Sequence, residues 1–158
     1  MSGFDELLDL KKQYEDKLKK DGESIVKGAL AEFFATFPEV EALRWDQFTP
    51  YFNDGEACVF TFRGLHVKIK NASVSDEVKE EINVNDFLDI EYDLYDWDDV
   101  KKEKIAKKGF EKLYEAGLKL NGQLGQVEDA LETVFGDHSQ VTVTSDGKVE
   151  IEDRSDHD

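Results

Sequence analysis

The chain has 158 residues, with 37 Asp or Glu against 20 Lys or Arg and a formal net charge of −17. The length suits one domain of the usual about 100–200 residues. A single cysteine excludes an intramolecular disulfide and a Cys-based zinc site, and the charge repels phosphate backbones and anionic membranes while favouring basic partners.

At 39% hydrophobic and 11% aromatic residues, the composition is that of a folded domain, not an acidic disordered chain. Met1 opens an acidic amphipathic stretch, so no secretory signal is expected. No apolar run approaches the roughly 20 residues of a membrane span. The expected location is the cytoplasm.

In chain order, Phe4, Leu7, Leu8, Tyr14 and Leu18 fall at helical spacing over 4–19, with Ser2 as cap. Asp21-Gly22 predicts the end of that helix. A second begins near Ser24 with the stripe Val26, Ala29, Leu30, Phe33 and Phe37, closed by Pro38. So short a link predicts an antiparallel helix pair.

From Val40 the period becomes two. Leu43 and Trp45 share one face of a strand, with Arg44 and Asp46 on the other. Residues 57–63 and 65–70 predict a hairpin around Arg63-Gly64, pairing Phe62 with Leu65, Phe60 with Val67 and Cys58 with Ile69. Cys58 is then a buried strand thiol. A polar loop with one turn of helix is expected over 71–86.

In "FLDIEYDLYDW", Leu88, Ile90, Tyr92 and Leu94 alternate with Asp89, Glu91 and Asp93, which predicts a half-buried strand. Asp98 is expected to cap a long helix with the stripe Ala106, Gly109, Phe110, Leu113, Tyr114, Gly117 and Leu118. Its two glycines would permit close approach of another element. Asn121-Gly122 is expected to stop it, and a further helix runs to Gly136. A final hairpin is predicted with a three-residue loop, Ser145-Asp146-Gly147, because that form pairs Val143 with Val149 and Val141 with Ile151.

The expected fold is α+β, a mainly antiparallel sheet with helices on one face, in the order ααβββ-β-αα-ββ. One domain spans 1–153, and 154–158 form a polar tail.

No catalytic signature appears: there is no Gly-x-Ser-x-Gly, Walker loop or His-Glu-x-x-His. No catalytic residue, cofactor or metal site is assigned. Asp89, Glu91 and Asp93 match the first ligand positions of a calcium loop. Leu94 then stands where Gly is needed and Val100 where the bidentate Glu belongs, which rejects it.

The acidic segment matters more as a surface. From Asp76 to Asp99 eleven acids face Lys79 alone, a net of −10. On a strand, Asp89, Glu91 and Asp93 would project at about 6.6–6.8 Å intervals, and Asp96, Asp98 and Asp99 extend the patch. Such a row could bind a basic protein as a nucleic-acid-like anionic decoy. The plain alternative is a solvated face that protects a sheet edge. Between Lys101 and Lys119, seven lysines against Glu103, Glu111 and Glu115 give +4, read as internal neutralisation.

The other unusual stretch is "RWDQFTPYFNDGEACVF", residues 44–60. Trp45 and Phe60 belong to apolar strand faces, and Asn53-Asp54-Gly55 forms a turn. The remaining aromatics either fold over the sheet end or wall a pocket for a sugar or nucleoside-like ligand. In that second reading, Trp45, Gln47, Tyr51, Phe52, Asn53 and Asp54 line it. This run resembles a segment of small uncharacterised acidic proteins from tailed bacteriophages and some bacteria, a Trp-x-Gln-aromatic-Thr-Pro-Tyr-Phe-Asn-Asp-Gly pattern. The resemblance covers about a tenth of the chain and implies a phage-type accessory protein, with no activity attached.

The expected function is therefore a non-enzymatic acidic accessory protein that binds a basic host or phage protein, without direct contact to nucleic acid or membrane. The alternatives are a small-ligand binder or enzyme using loop 45–56, and a homo-oligomeric structural component.

Overall fold

In the computed structural model, residues 3–50, 59–71, 75–79, 82–107 and 109–153 are described. The fold begins with α1, Gly3–Thr36, a single helix of 34 residues. The predicted break at Asp21-Gly22 does not occur. Glycine inside a helix costs about 1 kcal/mol against alanine, but this one sits where α1 crosses a later helix. A Cβ built at Gly22 would overlap the Val134 side chain. The glycine marks a close approach, not a stop. The helix ends just ahead of Pro38, with the Phe37 N–H still bonded to the Phe33 carbonyl.

Strand β1, Val40–Phe48, is central. It pairs antiparallel with β2, Thr61–Ile69, on one side and with β6, Ser139–Thr144, on the other. The predicted hairpin at Arg63-Gly64 is corrected: β2 runs through these residues as one strand. Phe62 lies opposite Gln47 and Leu65 opposite Trp45, with a register shift between them. Gly64 has φ +110°. The apolar alternation changes phase between Phe62 and Leu65, and a bulge restores it as well as a turn would.

The C-terminal hairpin has the predicted form. β6 pairs with β7, Val149–Asp153, setting Val141 against Ile151 and Val143 against Val149, and Gly147 takes φ +88°. Helix α2, Asp76–Lys79, supplies the one turn expected in the 71–86 loop.

The acidic segment is not the predicted strand. Only Leu88–Asp89 form β3, paired with His66 and Val67 at the sheet edge. Residues 90–94 form a turn, and Tyr95–Asp98 (β4) pairs with Glu103–Ala106 (β5) as a separate hairpin. That hairpin occupies the predicted start of the long helix. The helix, α3, instead spans Glu111–Gln126, beyond Gly109 with φ +91°. It passes through Asn121-Gly122, and α4 (Glu128–Phe135) follows, ending at Gly136 as predicted.

The sheet order is β3-β2-β1-β6-β7, antiparallel throughout. With helix, strands, two helices and strands in that order, the fold is α+β. Leu43, Trp45, Leu65, Val67, Val141 and Val143 share one face and join Leu30, Leu113, Leu131 and Phe135 of the helices in one core. Trp45 is fully buried, 6.1 Å from the Phe62 ring and 5.9 Å edge-on from Phe135. Gly117 of α3 is a close approach as expected, because a Cβ there would overlap Ile90.

Candidate functional site

Trp45 and Gln47, two of the candidate ligand-binding residues, lie in the core. The Trp45 indole donates to Gln47 Oε1 at 2.9 Å, and Gln47 Nε2 donates to the carbonyls of Leu131 at 2.9 Å and Gly136 at 2.7 Å. Gln47 thus joins β1 to the C-terminal end of α4, whose last carbonyls need partners. Both side chains are fully buried, so neither presents a surface to a ligand in this structure. Tyr51, Phe52, Asn53, Asp54 and Cys58 lie outside the described residues.

The chain leaving β1 is anchored by Thr49, whose N–H and hydroxyl donate to the two Asp137 carboxylate oxygens at 2.8 and 2.7 Å. Burial raises the Asp137 carboxyl, but the bonds from Thr49 and the His138 N–H outweigh it and hold the group below its ordinary value. Glu132 is shifted the other way, raised by burial and then by the charges of Asp137 and Asp129.

Asp89, Glu91 and Asp93 do not form an outward row, because each is spent within the fold. Asp89 Oδ1 accepts the N–H groups of Glu91 and Tyr92 at 2.8 and 3.2 Å. Asp93 Oδ2 accepts the Asp89 N–H at 2.6 Å. Glu91 Oε1 accepts from Asn121 Nδ2 at 3.1 Å, and Asn121 Oδ1 takes the Leu65 N–H at 2.8 Å. Ile90 and Leu94, four apart, are both fully buried, while Tyr92 is exposed. Aspartates that close turns on their own backbone out-compete a strand for which Asp has poor propensity.

Asp96, Asp98 and Asp99 are brought together on the β4–β5 hairpin. Pairing sets Asp98 opposite Glu103, Asp96 opposite Ile105 and Trp97 opposite Lys104. Directly opposed residues share a face, so Asp96, Asp98 and Glu103 lie on one side of the ribbon. Lys104 lies on the other, with its ammonium 4.7 Å from the Tyr95 ring centre and 5.8 Å from that of Tyr92. Asp98 Oδ1 also accepts the N–H groups of Val100 and Lys101 at 2.9 and 3.0 Å, capping the hairpin turn and not the predicted helix. Asp96, Asp99 and Glu103 are exposed.

A second polar surface, not anticipated as a site, covers the sheet face away from the helices. Register aligns Asp89, His66, Arg44, Thr142 and Glu150 across five strands. His66 Nε2 is 3.3 Å from Asp89 Oδ2. The Arg44 guanidinium lies 3.9 Å over the Phe87 ring, and its Nε donates to Thr142 Oγ1 at 2.9 Å. Gln140 donates to Asp46 at 3.0 Å. The signal was present in the sequence, since these residues alternate with the apolar positions of each strand. As chemistry, the row offers hydrogen bonds and one stacked guanidinium, and the group beside the His66–Asp89 pair is a cation, not a nucleophile.

Among the described residues, no group of three His, Cys, Asp or Glu side chains is placed to hold a metal ion. No helix of the described residues is long and apolar enough to cross a membrane. Compared with protein-family models, curated proteins and solved structures, the chain matches none.

Proposed function

We propose that this chain is a non-enzymatic acidic accessory protein that binds a basic protein partner through the carboxylate face of the β4–β5 hairpin. One observation carries the reading: Asp98 stands directly opposite Glu103, with Asp96 on the same face. Like charges facing each other across an antiparallel pair destabilise it, and a cationic side chain laid between them relieves the repulsion. The net charge of −17 steers basic proteins toward the molecule from a distance. The evenly spaced strand row is not part of this proposal. The contact is a cluster at a hairpin, with Asp99 on the adjoining turn. The resemblance of residues 44–60 to phage and bacterial proteins supports a setting in the bacterial cytoplasm, with inhibition of a nucleic-acid-binding host protein as the consequence.

The test is retention of bacterial proteins on the immobilised chain at low and high salt, with the bound species identified by mass. Asp96→Lys/Asp99→Lys/Glu103→Lys is compared with Glu150→Lys/Glu152→Lys on the sheet. A basic protein held at low salt, released at high salt, lost with the hairpin variant and kept with the sheet variant is the expected result. Retention that survives reversal of the hairpin overturns the proposed contact.

A further inference from the structure

The first half of α1 carries an apolar stripe that nothing among the described residues covers. Phe4, Leu7, Leu8 and Tyr14 are between 62% and 79% exposed, and every residue from Gly3 to Lys17 is exposed. At 100° per residue, Phe4, Leu8, Lys11, Glu15 and Leu18 lie on the side of the helix that carries Gly22 and Phe33 farther along. That side enters the molecule at Gly22, which touches α4. Phe4, Leu8 and Leu18 thus continue the Gly22 edge of the packed face, while Leu7 and Tyr14 extend the stripe away from the side that buries Leu30 and Phe34.

Charge identifies what covers it. Residues 3–20 hold five acids (Asp5, Glu6, Asp9, Glu15, Asp16) and five lysines (Lys11, Lys12, Lys17, Lys19, Lys20), a neutral stretch in a chain of −17. A basic protein gains no net attraction here. The order of the charges is self-complementary instead: three acids, two lysines, two acids and three lysines follow one another, so a second copy running the opposite way meets opposite signs.

We infer that this arm is a self-association element, through which two copies of the chain pair as an antiparallel helical dimer with Lys11 against the partner's Glu15. In that register Leu7 and Leu8 bracket the partner's Leu18, and Tyr14 covers the stem of the partner's Lys11. On the flank Asp5 and Lys12 each lie two positions, about 3 Å along the axis, from the level of the partner's Lys19 and the partner's Asp16 respectively. Each Phe4 reaches the partner's groove where α1 crosses α4, which is lined by Glu15, Lys19, Val134 and Phe135. A pairing of Lys11 with an acid at the middle of an apolar seam fixes register at some cost in affinity.

The antiparallel arrangement also answers the repulsion between two anionic bodies. It places them at opposite ends of an arm of 18 residues, about 27 Å long at 1.5 Å per residue, well beyond the screening length of about 8 Å at physiological salt. A two-helix contact of this length lies toward the low end of the ~1,200–2,000 Å² of specific interfaces, so dissociation in the micromolar range is expected. The inference is independent of the hairpin contact, and salt separates the two: the apolar seam persists where the basic partner is released.

The test is sedimentation equilibrium of the full chain with Cys58 reduced, from micromolar to millimolar concentration. The expected mass rises to that of a dimer. Leu8→Glu/Leu18→Glu remains monomeric with an unchanged melting temperature at low concentration, because both side chains lie outside the core. Lys11→Glu weakens the dimer by on the order of tenfold, and Lys11→Glu/Glu15→Lys restores it. A wild-type chain that stays monomeric throughout overturns the inference, as does a dimer that survives Leu8→Glu/Leu18→Glu. A dimer indifferent to Lys11→Glu, or not restored by the exchange, overturns the antiparallel register.

Discussion

The two halves of α1 carry the same apolar periodicity and meet different fates. From Gly22 to Thr36 the helix is buried at Gly22, Leu30 and Phe34 against α4 and the core, while from Gly3 to Lys17 every residue is exposed. Helical continuity links them. A free peptide of the arm's length would be marginal as a helix, but here the nucleus is supplied by the packed half. Asp5 and Glu6 in the first turn complement the helix dipole. Amphipathic spacing thus reports that one face of a helix prefers to be covered, and leaves open whether its own chain or another does so.

Substitutions in the two halves sharpen that contrast. The largest effect is expected for Leu30→Ala, which empties a fully buried site and costs about 2–5 kcal/mol by denaturant unfolding. Leu7→Ala, at the same helix but in the bare arm, leaves monomer stability within about 0.5 kcal/mol. Equal losses at both positions would mean that the arm is packed in the monomer. Next comes Gly22→Ala, where a gain of about 1 kcal/mol in helix propensity opposes an overlap with Val134 worth about 1–3 kcal/mol. A net loss is expected, and adding Val134→Ala should turn the Gly22→Ala step favourable. If that step costs the same with or without Val134, the glycine is not there for the helix crossing.

The smallest effects are electrostatic, at the end of α4. The folded Asp137 carboxyl lies below its ordinary value. Its contribution to stability is therefore present above the unfolded value of about 3.9 and lost as pH falls through the lower folded value. Asp137→Ala should lower the melting temperature at neutral pH, and the gap should narrow as pH falls below the unfolded value and the carboxyl protonates. Glu132 has the opposite sign, because its raised folded value means the charged form is disfavoured in the fold. Glu132→Gln should raise the melting temperature slightly near neutrality and have no effect where Glu132 is already protonated. Melts across pH that show both variants shifting alike would contradict the opposed signs.

The C-terminal hairpin was legible down to its register because two local signals agreed: the turn chemistry of Ser145-Asp146-Gly147 and the alternation of Val141, Val143, Val149 and Ile151. Glycine elsewhere was ambiguous. Gly22 and Gly64 both read as punctuation in the sequence, yet one admits a helix crossing and the other a bulge within a continuous strand. No local pattern separates a stop from a permission, since the deciding neighbour is far along the chain. The 88–99 stretch failed for a related reason. Ile90 and Leu94 satisfy a two-residue period and also a single helical turn, and the aspartates between them favour the turn by bonding to backbone N–H groups. Asp96, Asp98 and Asp99 were identified as a candidate patch from composition, but Glu103 joins that face only through pairing across the hairpin. Trp45 was legible as core from its strand phase. Gln47 was not, because its partners, the Leu131 and Gly136 carbonyls, lie more than eighty residues away in sequence.

Amide hydrogen exchange along α1, read residue by residue at micromolar and millimolar protein, compares the two halves in one experiment. Residues 24–36 should be protected equally at both concentrations, and residues 5–18 should exchange quickly at the low concentration and slow markedly at the high one. Protection of residues 5–18 that does not change with concentration would contradict an arm left bare in the monomer and covered by a second copy.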